Sequence, residues 1–500
     1  MKKVLLINIP LTENLYPSAS LAAISPIFKK NNYSVEIKDL NVKLFATLPE
    51  PVTTNISDWC QLTSELSAES ETMLNQWIDQ EFSTWSVDPS DILAVSVFSF
   101  YSILFGKNFL KKLCIYFPNN KIIVGGSGVS SSIGKATDHV TFGEYIQQHK
   151  LATHVIFGEG EISLDRLLNN QPGPGVDCNN PVQIDNLDSL LPPDYTDFNF
   201  DLYRDRRLLI TGSRGCVRKC TFCDIEVSWP KFKYRSPESC VKEIIEHSKR
   251  YDIKKFEFTD SLINGSVSGW IKFNDLLANA RARDPDLNDI SYSGQFICRE
   301  QSSQPKIMYE LMHYAGARQI TVGIESFSES VRTDMKKKFS NSAIDYHLEQ
   351  CAEWGIPNIF LMIVGYPGET INDHHKNVQA LHRYKQYSDM GTIFMIRWGL
   401  TMHIYKDTPL FKNINQYKID LMQHQHNPDG FDAIYTWTSS LNPELDFVER
   451  VRRRVELHSI SHELGYSQPN TRSELSTLLN LLKNYTPQPT KKNFIIQSKF

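Results

Sequence analysis

Short runs rich in Val, Ile and Leu alternate with helical stretches along most of the chain, and this alternation limits its fold more than any other feature. Near-continuous apolar strands separated by helices indicate parallel sheets with both faces covered. At roughly 150 residues per domain, a chain of 500 residues has room for about three domains. We therefore expect an α/β protein with more than one strand–helix series.

The first series occupies residues 1–170 and predicts a doubly wound, Rossmann-like domain. Its helices are predicted over residues 19–31, 67–81 and 105–116. Its strands are predicted over residues 4–9, 34–39, 92–98, 121–125 and 153–157. Residues 171–205 are rich in Pro, Gly, Asn and Asp, which is typical of a linker or an extended strap.

The second series runs over residues 206–411 with a regular spacing. Two of its predicted helices end at Gly316 and Gly355, in the place of C-terminal glycines. Six strand–helix units are fewer than the eight of a closed barrel, so we expect an open, partial (β/α)6 TIM barrel. The remaining residues, 412–500, predict a small C-terminal helical domain. The six strands are predicted over residues 208–212, 255–259, 290–296, 319–325, 358–364 and 392–398.

Composition and charge exclude several classes of protein. Lys and Arg number 53 against 57 Asp and Glu, so no basic excess indicates a nucleic-acid or anionic membrane partner. The apolar run after MKK stops at Pro10, which is too early for a signal peptide. No apolar run reaches the length of a membrane span. Nine Cys, an odd number, predict reduced thiols in a cytoplasmic protein rather than a disulfide scaffold.

Three of these cysteines crowd into the stretch TGSRGCVRKCTFCD, directly after the first strand of the second series. Cys216, Cys220 and Cys223 have the spacing C-x3-C-x2-C, in the loop where such folds place their chemistry. Three thiolates can hold three corners of a cubic iron–sulfur cluster and leave one iron open to a non-protein ligand. The alternatives are a zinc loop, which lacks a fourth ligand nearby, and coincidental core thiols, which the interleaved Lys, Arg and Asp disfavour.

At this point the sequence resembles the radical S-adenosylmethionine (SAM) enzymes. The triad has Phe222 before its third Cys, as in that family. The stretches KFEFTDSLIN, ITVGIESFSESVRTDMKK, FLMIVGYPGET and YKDTPLF resemble, in order, the acidic second-strand segment, the fourth-strand segment, the fifth-strand turn and the closing segment of the core.

The resemblance implies a [4Fe-4S] cluster on Cys216, Cys220 and Cys223, with SAM chelating the fourth iron. Reductive cleavage of SAM would then give a 5′-deoxyadenosyl radical. Helix capping or loop solvation remains open for Asp260 and Glu325. Gly365 and Gly368 would leave space for a flat nucleoside to approach the backbone, and a tight turn without a ligand remains the alternative. No catalytic residue is identified. The residues that we expect at SAM are Phe222, Asp260, Ser261, Glu325, Gly365 and Gly368.

The N-terminal series also resembles a family feature, the cobalamin-binding-type domain fused to one radical SAM subgroup. KIIVGGSGVSS and THVIFGEGEISLDRLL carry this likeness, but the motif D-x-H-x-x-G is missing and the first His is His139. Bound cobalamin would thus lack a His ligand on its lower face. Small residues at two strand ends would leave space for a corrin ring, and they would equally suit bare strand-to-helix turns. The candidate cobalamin contacts are Ser96, Ser99, Gly125, Gly126, Ser127 and Gly128.

The sequence therefore predicts a radical SAM enzyme that catalyses cobalamin-dependent methyl transfer to an unactivated carbon, or another radical rearrangement, of a small molecule or peptide. The resemblance implies an electron donor such as flavodoxin or ferredoxin. A cobalamin-free radical SAM enzyme and a zinc-binding protein are the alternatives. The related methylthiotransferases need a second Cys triad, whereas Cys60, Cys114 and Cys178 are far apart in the sequence.

Overall fold

The computed structural model describes residues 2–10, 16–61, 64–133, 140–171, 173–422 and 434–467. It divides into two compact units, and the boundary falls between Leu209 and Ile210. The stretch predicted as a linker, residues 171–205, therefore belongs to the first unit, and only the strap alternative holds. The tail predicted beyond residue 467 lies outside the described residues.

The first unit is built on a five-stranded, all-parallel sheet with the order β2-β1-β3-β4-β5. The predicted doubly wound domain is confirmed, and this is one of the two common strand orders of such folds. A short hairpin joins Ser132–Ile133 to Val140–Thr141. The strands are β1 (Lys3–Asn8), β2 (Ser34–Asp39), β3 (Ile92–Ser96), β4 (Lys121–Gly125) and β5 (His154–Val155).

Helices cover both faces of this sheet, which explains why its strands read as continuous apolar runs. Val4, Leu5, Leu6 and Ile7 follow one another in β1 and are all fully buried. The helices are α1 (Ala19–Lys30), α2 (Leu40–Thr47), α3 (Glu50–Cys60), α4 (Ala68–Ser83), α5 (Ile103–Tyr116), α6 (Phe142–Gln148) and α7 (Gly160–Leu168).

The strap over residues 171–205 is held on the first unit by buried contacts rather than by secondary structure. The Tyr203 hydroxyl donates to the buried Asp39 carboxylate at 2.7 Å. Lys29 on α1 pairs with Asp194 at 2.7 Å. Tyr195 is fully buried. A Pro- and Asp-rich composition here marks a stretch with two single-turn 3-10 helices, Leu187–Ser189 and Phe200–Leu202, that packs on the first unit through its side chains.

The second unit is built on a six-stranded parallel sheet in which strand order follows chain order. This confirms the predicted partial barrel. The strands are β6 (Arg207–Ile210), β7 (Lys255–Phe258), β8 (Ser291–Phe296), β9 (Ala317–Glu325), β10 (Asn358–Val364) and β11 (Ile393–Thr401). The helices between them are α8 (Pro237–Tyr251), α9 (Val267–Arg283), α10 (Lys306–Ala315), α11 (Glu329–Asp334), α12 (Asn341–Glu353) and α13 (Ile371–Arg383).

The prediction of a separate, helical C-terminal domain is wrong in two respects. The described part of residues 412–467 contains strands as well as a helix, and it packs into the second unit. Trp437 and Leu445 join Met335 and Tyr366 in one buried apolar cluster. The elements are β12 (Ile404–Tyr405), β13 (Ile419–Met422), β14 (Ile434–Ser439) and α14 (Phe447–Glu463), with the strands in one antiparallel sheet.

Two arginines of α14 lie against the turn after β10, Arg453 through an ion pair and Arg450 by packing at Gly365. Arg453 Nη1 donates to Glu369 Oε1 at 2.9 Å, and both side chains are almost fully buried. Arg450 is fully buried and donates to the carbonyl oxygens of Leu445 and Trp437, each at 3.0 Å. The C-terminal segment is thus part of the barrel unit. Among the described residues, no helix is both long and apolar enough to cross a membrane.

Arg453→Met should destabilise the second unit by about 3–5 kcal/mol, because it leaves the Glu369 carboxylate buried without its cation. Arg452→Met is the matched control, since Arg452 lies on the same helix with an exposed side chain. Loss of the Arg452 side chain should change the free energy of unfolding by less than about 1 kcal/mol. Urea unfolding at pH 8, followed by circular dichroism, measures both. Equal destabilisation would contradict a structural role for the Arg453–Glu369 pair.

Candidate active site

The three-cysteine loop lies at the carboxyl end of β6, between two short strands. Ser213–Arg214 pairs antiparallel with Lys233–Tyr234 and so brings the chain out and back. Gly215 adopts φ +82°, and a Cβ there would lie 2.5 Å from the Lys231 carbonyl oxygen. The hairpin thus requires glycine at this position, and it holds the three thiols on one loop, as predicted.

Thr221, inside the triad, fixes this loop to three other segments. Its N–H donates to the Met335 carbonyl oxygen at 3.1 Å, and its own carbonyl oxygen accepts from the Leu410 N–H at 2.7 Å. Its hydroxyl lies 2.8 Å from the Tyr366 hydroxyl. Tyr417, 3.2 Å from the Tyr366 hydroxyl, donates in turn to Asp334 at 2.7 Å. The sequence reasoning did not identify Thr221, because its partners are distant in the chain.

The three thiols are free and partly buried. Burial raises the pKa of each, and for Cys223 to about 12. Positive charge opposes this effect at Cys216, where Lys337, Arg218 and Arg299 all act to lower the thiol pKa. Arg299 is anchored by donating to the Asn264 and Gly265 carbonyl oxygens at 3.0 and 3.2 Å. At Cys216 the nearby cations therefore oppose the effect of burial on the thiol pKa without reversing it.

Within the parts of the chain that the structure describes, no three His, Cys, Asp or Glu side chains are grouped for a single metal ion. Three free thiols on one loop are a donor set that fits three corners of a cubic iron–sulfur cluster.

Asp260, predicted at SAM, is committed to the protein. Its carboxylate is buried and accepts from the Gly212 N–H at 2.8 Å and from the Ser213 hydroxyl at 2.5 Å. Burial raises the pKa of Asp260 to about 7 against these hydrogen bonds. It joins the carboxyl ends of β6 and β7 and so orients the start of the cysteine loop. Ser261 beside it is half-buried.

Glu325, also predicted at SAM, ends β9 at a register shift and has φ +65°. Its Oε1 pairs with Lys337 Nζ at 3.0 Å, and both side chains are about nine-tenths buried. Lys337 also lies over the Phe222 ring, 5.9 Å from its centroid. The sequence reasoning missed Lys337, because a Lys in the run MKKKF looks like an exposed charge.

Gly365 and Gly368 were expected to leave space for a nucleoside, and the structure contradicts that reason. A Cβ on Gly365, which has φ +80°, would lie 2.4 Å from the Arg450 side chain. A Cβ on Gly368 would lie 2.7 Å from Asp334 Oδ2. Gly365→Val would therefore clash with the Arg450 side chain of α14. The assignment of both glycines to SAM stays a prediction that depends on their backbone atoms.

In the first unit, the candidate cobalamin residues lie at the carboxyl ends of β3 and β4. The strand order reverses between β1 and β3, and doubly wound folds bind ligands outside the strand ends at such a switch point. The Ser96 hydroxyl lies 3.1 Å from that of Ser20 on α1, and Ser99 accepts from the Tyr101 N–H at 3.2 Å. Phe98, which the sequence reasoning missed, is exposed there.

The glycines after β4 serve the packing of the two loops, which corrects the expectation that all of them leave space for a corrin ring. A Cβ on Gly126, which has φ +104°, would lie 2.4 Å from the Val97 carbonyl oxygen. A Cβ on Gly128 would lie 2.7 Å from the Ser99 carbonyl oxygen. Ser127 donates to the Phe98 carbonyl oxygen. Gly126→Leu would therefore disturb this turn itself, whereas Gly125 has only an ordinary contact with Ile156 at 3.6 Å.

Comparison with known proteins identifies the class of the second unit. Residues 210–381 match the family model of the radical SAM superfamily. They include the triad and most of the partial barrel, so this unit contains a radical SAM domain, the domain of enzymes that use a [4Fe-4S] cluster and SAM.

Curated relatives and solved structures extend the comparison. A provisionally named methylthiotransferase of Methanocaldococcus jannaschii is 25% identical over 57% of this chain. The threonylcarbamoyladenosine tRNA methylthiotransferase of Caenorhabditis elegans is 24% identical over 52% of it. The matches span 63% and 60% of these relatives' own lengths.

Two solved structures share the fold over almost the whole chain. The radical SAM methyltransferase TsrM of Kitasatospora setae, with tryptophan and a SAM analogue bound, has a TM-score of 0.66 at 15% identity and covers 97% of this chain and 99% of its own. The cobalamin-dependent radical SAM enzyme OxsB, with aqua-cobalamin and SAM bound, also has a TM-score of 0.66, at 17% identity, covering 96% and 71%. At these identities the likeness establishes the fold.

Asp260→Asn tests the buried carboxyl at the cysteine loop. Because the folded-state pKa is raised from 3.8 to about 7, Asp260 contributes most stability below pH 4 and loses it as the pH rises towards 7. The amide does not titrate, so the stability of the variant relative to wild type should increase over this range and level off above it. Urea unfolding at pH 4, 5.5, 7 and 8 measures the difference. A difference independent of pH would contradict the raised pKa.

Proposed function

We propose that this chain is a cobalamin-dependent radical SAM methyltransferase that acts on an unactivated carbon of a small molecule or peptide. Cys216, Cys220 and Cys223 hold the [4Fe-4S] cluster. The observation that carries the proposal is the free three-cysteine loop at the first strand of a radical SAM domain, in a chain whose whole length shares the fold of a radical SAM methyltransferase.

The cluster, when bound, supplies the single electron that cleaves the sulfonium of SAM. The chain's own residues prepare the site for it. Thr221 and its partners fix the loop, Arg218, Arg299 and Lys337 oppose the effect of burial on the pKa of Cys216, and Asp260 orients the first residues after β6. An electron donor such as flavodoxin or ferredoxin is part of the proposal.

Glu325 is the predicted SAM contact that the geometry supports best. Its Oε1 is paired with Lys337, while among the described residues no hydrogen bond engages its Oε2. A carboxylate oxygen at the end of a central barrel strand can accept from an ammonium or a ribose hydroxyl. Asp260, by contrast, already accepts through both oxygens, so its part in SAM binding is indirect.

Cobalamin is proposed at the carboxyl ends of β1, β3 and β4 in the first unit. The switch point lies there, Ser96 and Ser20 place hydroxyls there, and Phe98 offers an exposed aromatic face. The solved structures of TsrM and OxsB that share this fold contain cobalamin. The cobalamin-free reaction, which uses the deoxyadenosyl radical directly, is the second candidate because no His of the described strand ends offers a lower ligand.

Methylthiotransfer, suggested by the names of the two curated relatives, has less support in this chain. Those enzymes need a second Cys triad. Cys60 is buried in the apolar core of the first unit, where burial raises its pKa to about 12, while Cys178 is exposed in the strap. Nine cysteines without a disulfide suit a reducing compartment, and we propose that the protein acts in the cytoplasm.

Changing any one of Cys216, Cys220 and Cys223 to Ala should abolish the brown cluster chromophore and the cleavage of SAM. Cys114→Ala and Cys351→Ala should leave both intact, since these thiols lie on α5 and α12, away from the loop. Iron and sulfide analysis after anaerobic reconstitution, together with assay of 5′-deoxyadenosine, measures the outcome. Equal loss in both sets of variants would show that the triad is not the site.

Phe98→Ser should weaken corrinoid binding by about 10- to 150-fold, because losing the burial of one aromatic side chain costs about 1.5–3 kcal/mol. Ile115→Ser is the control, since Ile115 is also exposed but lies on α5. Absorbance after anaerobic loading and desalting measures bound corrinoid. The wild-type spectrum should lack imidazole coordination, and His154→Ala should not alter it; His139 lies outside the described residues. Formation of 5′-deoxyadenosine without corrinoid uptake would favour the cobalamin-free enzyme.

A further inference from the structure

Lys337 is the one lysine of the run Lys336–Lys338 that points into the protein. Its two neighbours are exposed, whereas 8% of Lys337 is accessible to solvent. Lysine is almost never buried to this degree unless it is paired. The burial of a single residue in an otherwise exposed basic run calls for a specific partner.

The backbone holds Lys337 in place at a conformational cost. Lys336 and Lys338 have φ of 60° and 55°, in the left-handed region that residues other than glycine seldom adopt. The Lys337 N–H donates to the Arg332 carbonyl oxygen at 2.9 Å. Arg332 is fully buried and braces the turn through the Ser326 carbonyl oxygen and Asn341, both at 2.6 Å. A turn of two left-handed lysines thus aims the middle side chain inward.

The ammonium of Lys337 is received by a matching arrangement at the end of β9. Glu325 accepts from it at 3.0 Å. A Cβ on Gly323 would lie 2.4 Å from Glu325 Oε1 and 2.9 Å from Lys337 Nζ, so glycine is required for this pair to form. Gly323, Glu325 and Lys337 form one unit beside the cysteine loop, which is itself tied to this segment by the Thr221–Met335 hydrogen bond.

The ammonium of Lys337 lies beside the cysteine loop. Its Nζ is 5.9 Å from the centroid of the Phe222 ring, and Phe222 stands between Cys220 and Cys223 in the sequence. The Thr221 N–H donates to the carbonyl oxygen of Met335, two residues before Lys337, at 3.1 Å. A buried positive charge is thus held against the loop that carries the three thiols.

We propose that Lys337 is a positioning residue that fixes a buried positive charge against the loop of Cys216, Cys220 and Cys223 and so raises the reduction potential of their cluster. The inference rests on the proposed function, in that it requires a cluster on this loop. Reduction adds one electron from a low-potential one-electron donor to the [4Fe-4S]2+ form and gives the 1+ form. A nearby cation stabilises the added negative charge, because cluster potentials depend on net charge and solvent exposure.

The test compares Lys337→Met with Lys336→Met and Lys338→Met, which remove the same charge from exposed neighbours at strained positions. The probe is the anaerobically reconstituted full chain, titrated with dithionite and followed by electron paramagnetic resonance. At the wild-type midpoint, Lys337→Met should show a tenfold lower ratio of reduced to oxidised cluster, a shift of about 59 mV for one electron. The two controls should match wild type, and Lys337→Arg should restore most of the potential.

Glu325→Gln adds a test of opposite sign, because it removes the negative partner and should move the midpoint upward. Glu325→Gln also tests the effect of the ion pair on the potential if Lys337→Met fails to assemble a cluster. An unchanged midpoint in Lys337→Met with full iron and sulfide, a shift equal to that of Lys336→Met, or an unchanged midpoint in Glu325→Gln would each overturn the inference. Wild-type protein without iron and sulfide would instead overturn the proposed function.

Discussion

The hydrogen bonds of Thr221 are the constraint on which the rest of the site depends. A loop of three cysteines has no regular secondary structure of its own, so its shape comes from outside. Hydrogen bonds between Thr221 and three later residues fix the shape of the loop. These residues are Met335 after α11, Tyr366 after β10 and Leu410 beyond β11. The loop after the first strand is thus held by segments that follow the fourth, fifth and sixth strands of the same barrel.

This dependence explains why the C-terminal segment belongs to the barrel unit. A six-stranded barrel is open, and its later loops need support that a closed barrel would supply by contact with the next strand. Arg450 and Arg453 of α14 give that support to the turn after β10, one by filling the space in front of Gly365 and the other by pairing with Glu369. Tyr417, from the same segment, reaches Thr221 through Tyr366. The C-terminal segment therefore supports the candidate active site, although none of its residues belongs to a recognised motif.

The strands and most helices of both units could be predicted from the sequence, because apolar runs and glycine or serine boundaries are local signals. The triad could be predicted for the same reason, since its three ligands lie within eight residues. Lys337, Arg450 and Arg453 could not, because burial of a charged residue is decided by partners far along the chain. The glycines misled in a related way: Gly126 and Gly365 read as open space, yet Val97 and Arg450 occupy that space. A small residue at a strand end indicates that another group packs closely against it, but the sequence does not identify that group.

Backbone strain gives a second route to the same site, independent of the cysteines. In the second unit, Asp252 and Lys418 have positive φ because each follows the end of a helical segment, where left-handed residues are common. Lys336 likewise follows the end of α11, whereas Glu325, Lys338 and Asp407 follow no helix. Glu325 ends a strand, and Lys338 comes directly after the buried Lys337. Since strained residues persist only where the surrounding structure enforces them, the positive φ values of Glu325 and Lys338 indicate that the second unit enforces the geometry of the Glu325–Lys337 ion pair.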